Sequence, residues 1–66
     1  MLKKDFKIEN NIYNEEIIKN AIIDFKWFNI KYLKSILKIS WNSDIEIEQI
    51  FNEFMNYVLW VQNETI

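Results

Sequence analysis

Covalent chemistry in this chain would have to come from serine, lysine or carboxylate side chains, because it contains neither histidine nor cysteine. A nucleophile needs an adjacent base to activate it. Only Ser35, Ser40, Ser43 or a lysine of lowered pKa is available for that part, and the serines fall where turn and cap hydroxyls belong. Two carboxylate pairs stand out, Glu15/Glu16 and Glu46/Glu48. Acid–base catalysis by such a pair needs a cleft that drives the two pKa values apart. Placement at helix N-termini, where negative charge is favoured, explains both pairs better. Zinc ligation lacks its usual sulfur and imidazole donors. A chain without glycine cannot build a glycine-rich phosphate loop. The expectation is a protein that is not an enzyme, with no catalytic residue, no resident cofactor and no metal.

Contact chemistry is better supplied. Aromatic side chains are abundant, with five Phe, three Trp and three Tyr. Charge is uneven along the chain. All eight lysines fall within residues 3–38, and with five carboxylates they leave residues 1–41 at +3; residues 42–66 hold five carboxylates and no base, −5. The overall charge of −2 does not favour nucleic acid.

Which elements position these groups follows from hydrophobic period. "DFKIE" alternates, with Phe6 and Ile8 on one side, and predicts a strand over 5–9. From Asn14 the period becomes helical: Ile17, Ile18, Ala21, Ile22 and Phe25 share a face. Asn14 suits an N-cap and Glu15/Glu16 suit the first turn, which predicts a helix over 14–27. Ser43 and Glu46 have capping-box spacing. A stripe from Ile47 through Ile50, Phe51, Phe54, Met55, Val58 and Val61 then predicts a helix over 44–62.

Between them lies "NIKYLKSILKISW", which reads two ways. As a helix it puts Lys31, Lys34, Ser35 and Lys38 on one face and gives a three-helix bundle. As a hairpin with Lys34-Ser35 at its tip, it forms strands over 28–33 and 36–41. Phe28, Ile30, Tyr32, Leu37, Ile39 and Trp41 then share one side, and Lys31, Lys38, Asn29 and Ser40 the other. Period two holds on both arms in the register that a short turn dictates. Against it, Lys-Ser is a poor pair for a primed turn, and Lys31 opposes Lys38. Pattern favours the hairpin, hence an α+β two-layer domain, strand-helix-β-hairpin-helix, with the three-helix bundle as the alternative.

That order of elements resembles the HxsD-like proteins of His-Xaa-Ser peptide-maturation systems, over about residues 6–66. "IYNEEIIKNAIIDF" is similar to a family segment at Tyr13, Ile18, Ala21 and Phe25. "ILKISW" stands where the family has a short β-rich run. "EFMNYVLWVQNETI" is similar to a family helix at Glu53, Phe54, Asn56, Val58 and Leu59. An arginine near the end of the family's helix is missing here, and the family's hairpin turn tends to be longer and rich in Asp. The resemblance implies an accessory protein beside a radical-SAM enzyme that modifies a ribosomally made peptide. The iron–sulfur cluster would belong to that enzyme, which has the cysteines this chain lacks.

Residues that fit the core badly mark the expected contact surface. On a helix over 14–27, Ile23 and Trp27 lie four apart and away from the apolar stripe. On the last helix, Trp60 points away from Val58, and Leu59 flanks the stripe. Exposed tryptophan is enriched at binding hot spots. A three-stranded sheet also leaves edges at which an extended peptide can add a strand, and Lys31 and Lys38 would favour an acidic one. The partner-binding residues expected are therefore Ile23, Trp27, Lys31, Lys38, Leu59 and Trp60. Expected partners are the radical-SAM enzyme or its peptide substrate; a homodimer is open to so short a chain. A second reading is a small phage or mobile-element inhibitor acting by protein–protein binding. The opening "MLKKDFKIENN" has no apolar run behind its lysines, and no run of 18 apolar residues occurs anywhere, so the expected location is the cytoplasm, without membrane contact.

Overall fold

The computed structural model describes residues 1–9 and 11–64. Five elements follow one another: β1 (Leu2–Lys7), α1 (Glu15–Asp24), β2 (Asn29–Leu33), β3 (Ile36–Trp41) and α2 (Asp44–Glu64). The three strands form one antiparallel sheet in the order β1-β3-β2, and both helices pack on the same side of it. α1 lies over β2, while α2 crosses β3 and β1. The fold is the α+β, two-layer strand-helix-hairpin-helix arrangement. The three-helix alternative fails, because residues 29–41 pair as strands instead of coiling.

The hairpin register is the one that a two-residue turn imposes: Leu33 opposes Ile36, Lys31 opposes Lys38 and Asn29 opposes Ser40. Both turn residues have positive φ, 50° at Lys34 and 67° at Ser35. Primed turns need this conformation, since only they match the twist of the flanking strands. For residues with a Cβ it costs about 1–2 kcal/mol each. The strands compensate by burying Ile30, Leu37 and Ile39. The residue that follows β1 then anchors the turn, because the Ile8 N–H donates to the Ser35 carbonyl at 2.8 Å.

Asn14 caps α1 as expected: its Oδ1 accepts from the N–H groups of Glu16 (2.9 Å) and Ile17 (3.4 Å). At the other end the helix is shorter than the 14–27 expected. It stops at Asp24, and Phe25 is its C-cap. The Phe25 N–H still reaches the Ala21 carbonyl, but the Phe28 N–H turns back to the Phe25 carbonyl. That tight turn lets Phe25 and Phe28 both point inward, with Phe25 set edge-on to Phe54 and Phe28 tilted against Trp41. The turn also leads Phe28 directly into β2, beside Trp41 of β3.

β1 also departs from expectation, running Leu2–Lys7 instead of 5–9. Its helix-facing residues are Leu2, Lys4 and Phe6, so a lysine interrupts the apolar alternation that sequence reading relies on. Lys4 is tolerated there because its Nζ donates to Glu48 Oε1 on α2 at 3.0 Å. Ile8 lies beyond the strand but is buried on the expected side, alongside Phe6. α2 begins with half of the capping box: the Ser43 hydroxyl accepts from the Glu46 N–H and donates to the Glu46 carboxylate. That carboxylate also accepts from the Trp41 indole N–H at 3.0 Å. Asn10, Thr65 and Ile66, which fall within the stretch similar to the HxsD-like family, lie outside the described residues.

The core lies between the layers. Phe54, Ile18, Leu37, Ile39, Ile47 and Val58 are its fully buried side chains, and each contributes about 1.5–3 kcal/mol by leaving water. Domains of this size have a total stability on the order of 5 kcal/mol. Phe54→Ala should therefore remove about 3–5 kcal/mol and leave the chain largely unfolded at 25 °C by circular dichroism. Lys34→Asn, which eases the left-handed turn, should raise the urea midpoint by the equivalent of about 0.5–1 kcal/mol. An unchanged or lower midpoint would contradict this account of the turn.

Candidate binding surfaces

The sheet has one side covered by helices and one side open. Register fixes what the open side displays. Across β1, β3 and β2 it carries the row Lys3–Ser40–Asn29, then Asp5–Lys38–Lys31, then Lys7–Ile36–Leu33. Lys3, Asn29, Lys31, Lys38 and Ser40 line a shallow hollow there. Among the described residues, Lys3, Lys7, Lys31 and Lys38 form no ion pair, although Asp5 stands opposite Lys38 in the register. Four ammonium groups and one carboxylate thus share a small area. Like charges directly opposite on a sheet repel by a few tenths of a kcal/mol. An anion placed among them would relieve that repulsion.

The edges differ as well as the faces. In an antiparallel ladder, alternate residues point their backbone groups at the neighbouring strand. The bond from the Ile8 N–H to the Ser35 carbonyl fixes the phase for β1. Leu2, Lys4 and Phe6 bond inward to β3, whereas Lys3, Asp5 and Lys7 direct their N–H and C=O groups outward. At the opposite edge the Ile30 N–H is already taken by the Phe28 carbonyl at 3.0 Å.

Of the six residues expected to contact a partner, Lys31 and Lys38 lie on the open face, side by side. Ile23, Leu59 and Trp60 belong to the helix layer on the other side of the sheet, and Trp27 to the turn that follows α1. The six therefore do not form one surface. Trp27 is 80% exposed and Trp60 61%, with Ile23 at 67% and Leu59 at 36%. The helical pairing expected of Ile23 and Trp27 does not occur, because α1 ends between them. The Lys26 ammonium lies 5.4 Å from the Trp27 ring. Trp60 leans on Tyr57, ring centres 6.3 Å apart, and the Tyr57 hydroxyl donates to Asp24 Oδ2 at 2.5 Å. A chain of contacts thus ties Trp60 to the C-terminal end of α1.

Sequence reading missed Lys3 and Lys7. Lys3 lies before the strand expected over 5–9, whereas Lys7 lies within it but was not assigned to a surface. Their signal was the alternation Lys3, Asp5, Lys7, interpretable only once β1 was known to pair with β3. No group of His, Cys, Asp and Glu among the described residues is placed to hold a metal ion. No helix among them is long and apolar enough to cross a membrane. Comparison with protein-family models, with curated proteins and with solved structures finds no match to this chain.

The Tyr57–Asp24 bond has a measurable consequence. The hydrogen bond to the carboxylate raises the phenol pKa above its ordinary 10.0, aided by desolvation and by the carboxylate's charge. A pKa raised by folding means the protonated form is the one stabilised. The contribution is complete below the ordinary tyrosine range and is lost as pH climbs through the higher folded value. Ultraviolet titration should show one phenol ionising later than free tyrosine, and Tyr57→Phe should abolish that step. A late step that persists in the variant would refute the assignment.

Proposed function

We propose that this chain is a non-catalytic docking protein that binds an acidic, extended partner segment on the open side of its sheet. The uncovered lysine-bearing face carries the reading. Four cations that form no ion pair among the described residues, beside outward-directed strand backbone, suit a ligand that supplies both carboxylates and main-chain hydrogen bonds. The lone hydroxyls do not suggest nucleophiles: Ser43 is spent on a helix cap, and Ser35 sits at a turn that bonds to Ile8.

The resemblance to HxsD-like proteins suggests where such docking would occur, beside a radical-SAM enzyme and its ribosomally made peptide. The arrangement of surfaces supports a division of labour. The lysine side would take the peptide, and the exposed Trp27 and Trp60 would take the enzyme. The inhibitor reading draws on the exposed Trp27 and Trp60 alone and leaves the lysine face without a role.

Affinity purification of the tagged chain from its native host tests these readings. A radical-SAM enzyme should co-purify. Trp27→Ala with Trp60→Ala should weaken its retention at least tenfold, on the scale of hot-spot losses. Lys31→Glu with Lys38→Glu should instead release the peptide and spare the enzyme. Recovery of a host defence nuclease would move the assignment to the inhibitor reading. Recovery of nucleic acid alone, lost steeply with added salt, would overturn protein docking altogether.

A further inference from the structure

We propose that the free edge of β1 is a strand-pairing site, and that its ligand is an extended segment with carboxylates at positions i and i+4 and an apolar residue between them. This rests on the docking reading above and adds to it an edge, a register and a sequence rule.

The edge follows from the ladder. Lys3, Asp5 and Lys7 direct their backbone N–H and C=O groups away from β3, and no described residue pairs with them there. The β2 edge is a weaker template, because the local turn to Phe28 already occupies the Ile30 N–H. A fourth strand beside β1 would continue the three rows of the open face.

The sequence rule follows from those rows. Ligand residues opposite Lys3 and Lys7 would lie on the open side, where a carboxylate complements each ammonium. Because a strand alternates sides, these two ligand positions are four residues apart in either chain direction. The ligand residue between them on the same side meets Asp5, so a neutral hydroxyl fits and a third carboxylate does not. On the helix side, the residue opposite Phe6 meets an aromatic margin, since Phe6 stacks on Phe51 at 3.9 Å and 7°. An apolar residue belongs there. An antiparallel ligand thus reads acidic–apolar–polar–polar–acidic, and a parallel one carries the apolar residue next to the second acid.

The same charges argue against a second copy as the occupant. Two β1 strands paired antiparallel about Asp5 would set Lys3 against Lys7 twice and Asp5 against Asp5. Lysines on an edge discourage self-pairing in this way.

The test is a titration of the full isotope-labelled chain with a synthetic peptide whose core is Glu-Val-Thr-Thr-Glu, followed by nuclear magnetic resonance. Shifts and exchange protection should centre on the amides of Lys3, Asp5 and Lys7. A Lys-Val-Thr-Thr-Lys control should bind at least about tenfold more weakly, as should the Glu peptide to Lys3→Glu with Lys7→Glu. Asp5→Pro removes only an outward N–H, a position where an edge strand tolerates proline, so it should lose peptide binding while keeping its circular dichroism. Should that variant misfold, a peptide N-methylated at the amides facing β1 makes the same cut from the ligand side and should fail on the unaltered chain. Protection at Ile30 and Tyr32 would overturn the β1 assignment and leave docking on the sheet intact. Equal binding of the lysine control would overturn the charge rule. Concentration-dependent protection of β1 without peptide would make a second copy the occupant. Absence of binding by the Glu peptide, in a chain that still retains its host partner, would overturn this inference alone.

Discussion

Every other element of this domain depends on β3 being paired along both of its sides. Its residues alternate strictly in what they do. Ile36, Lys38 and Ser40 pair with β2 through their backbones and turn their side chains to the open face; Leu37, Ile39 and Trp41 pair with β1 and turn theirs to the helices. Backbone satisfaction and side-chain burial are thus set by one parity. A slip of one residue would send Leu37 and Ile39, both fully buried, into water and Lys38 into the core. The left-handed turn at Lys34 and Ser35 persists under that constraint, although neither residue favours it.

The helices are then positioned by a few directional contacts laid over a non-directional core. At its N-terminal end α2 is registered against the sheet by the Phe6–Phe51 stack, the Lys4–Glu48 pair and the Trp41–Glu46 bond. The exposed ion pair contributes less than about 1 kcal/mol, so the aromatic stack and the buried stripe carry the energy while the polar contacts select the angle. Towards its C-terminal end, the Gln62 side chain bonds the Asn14 N–H and the Ile12 carbonyl, both at 2.8 Å. Polar contacts therefore hold α2 at both ends, and Phe54 lies fully buried between them.

Much of this architecture was legible beforehand because period and parity are local properties. The hairpin faces, the Asn14 cap and the buried stripe of α2 could all be read from spacing alone. What could not be read depended on partners distant in sequence. Lys4 looks like a surface residue until Glu48 is brought to it, so the first half of β1 was hidden. Phe25, Trp27 and Phe28 resemble a continuing helix until the core claims the two phenylalanines and leaves the tryptophan outside. The make-up of the lysine face shows the same dependence. Lys31 and Lys38 are neighbours through a hairpin and could be placed together from spacing, whereas Lys3 and Lys7 join them only through a crossover connection.

The segregation of charge along the chain becomes, in three dimensions, a separation in space. The lysine-bearing side of the sheet faces away from α2, which carries Asp44, Glu46, Glu48, Glu53 and Glu64 and no base. The molecule is therefore an electric dipole despite its small net charge. In the field of a negatively charged body it experiences a torque before contact, which swings the sheet forward and the long helix to the rear. Orientation is thus partly decided during diffusion, and background electrolyte weakens that alignment over the Debye length.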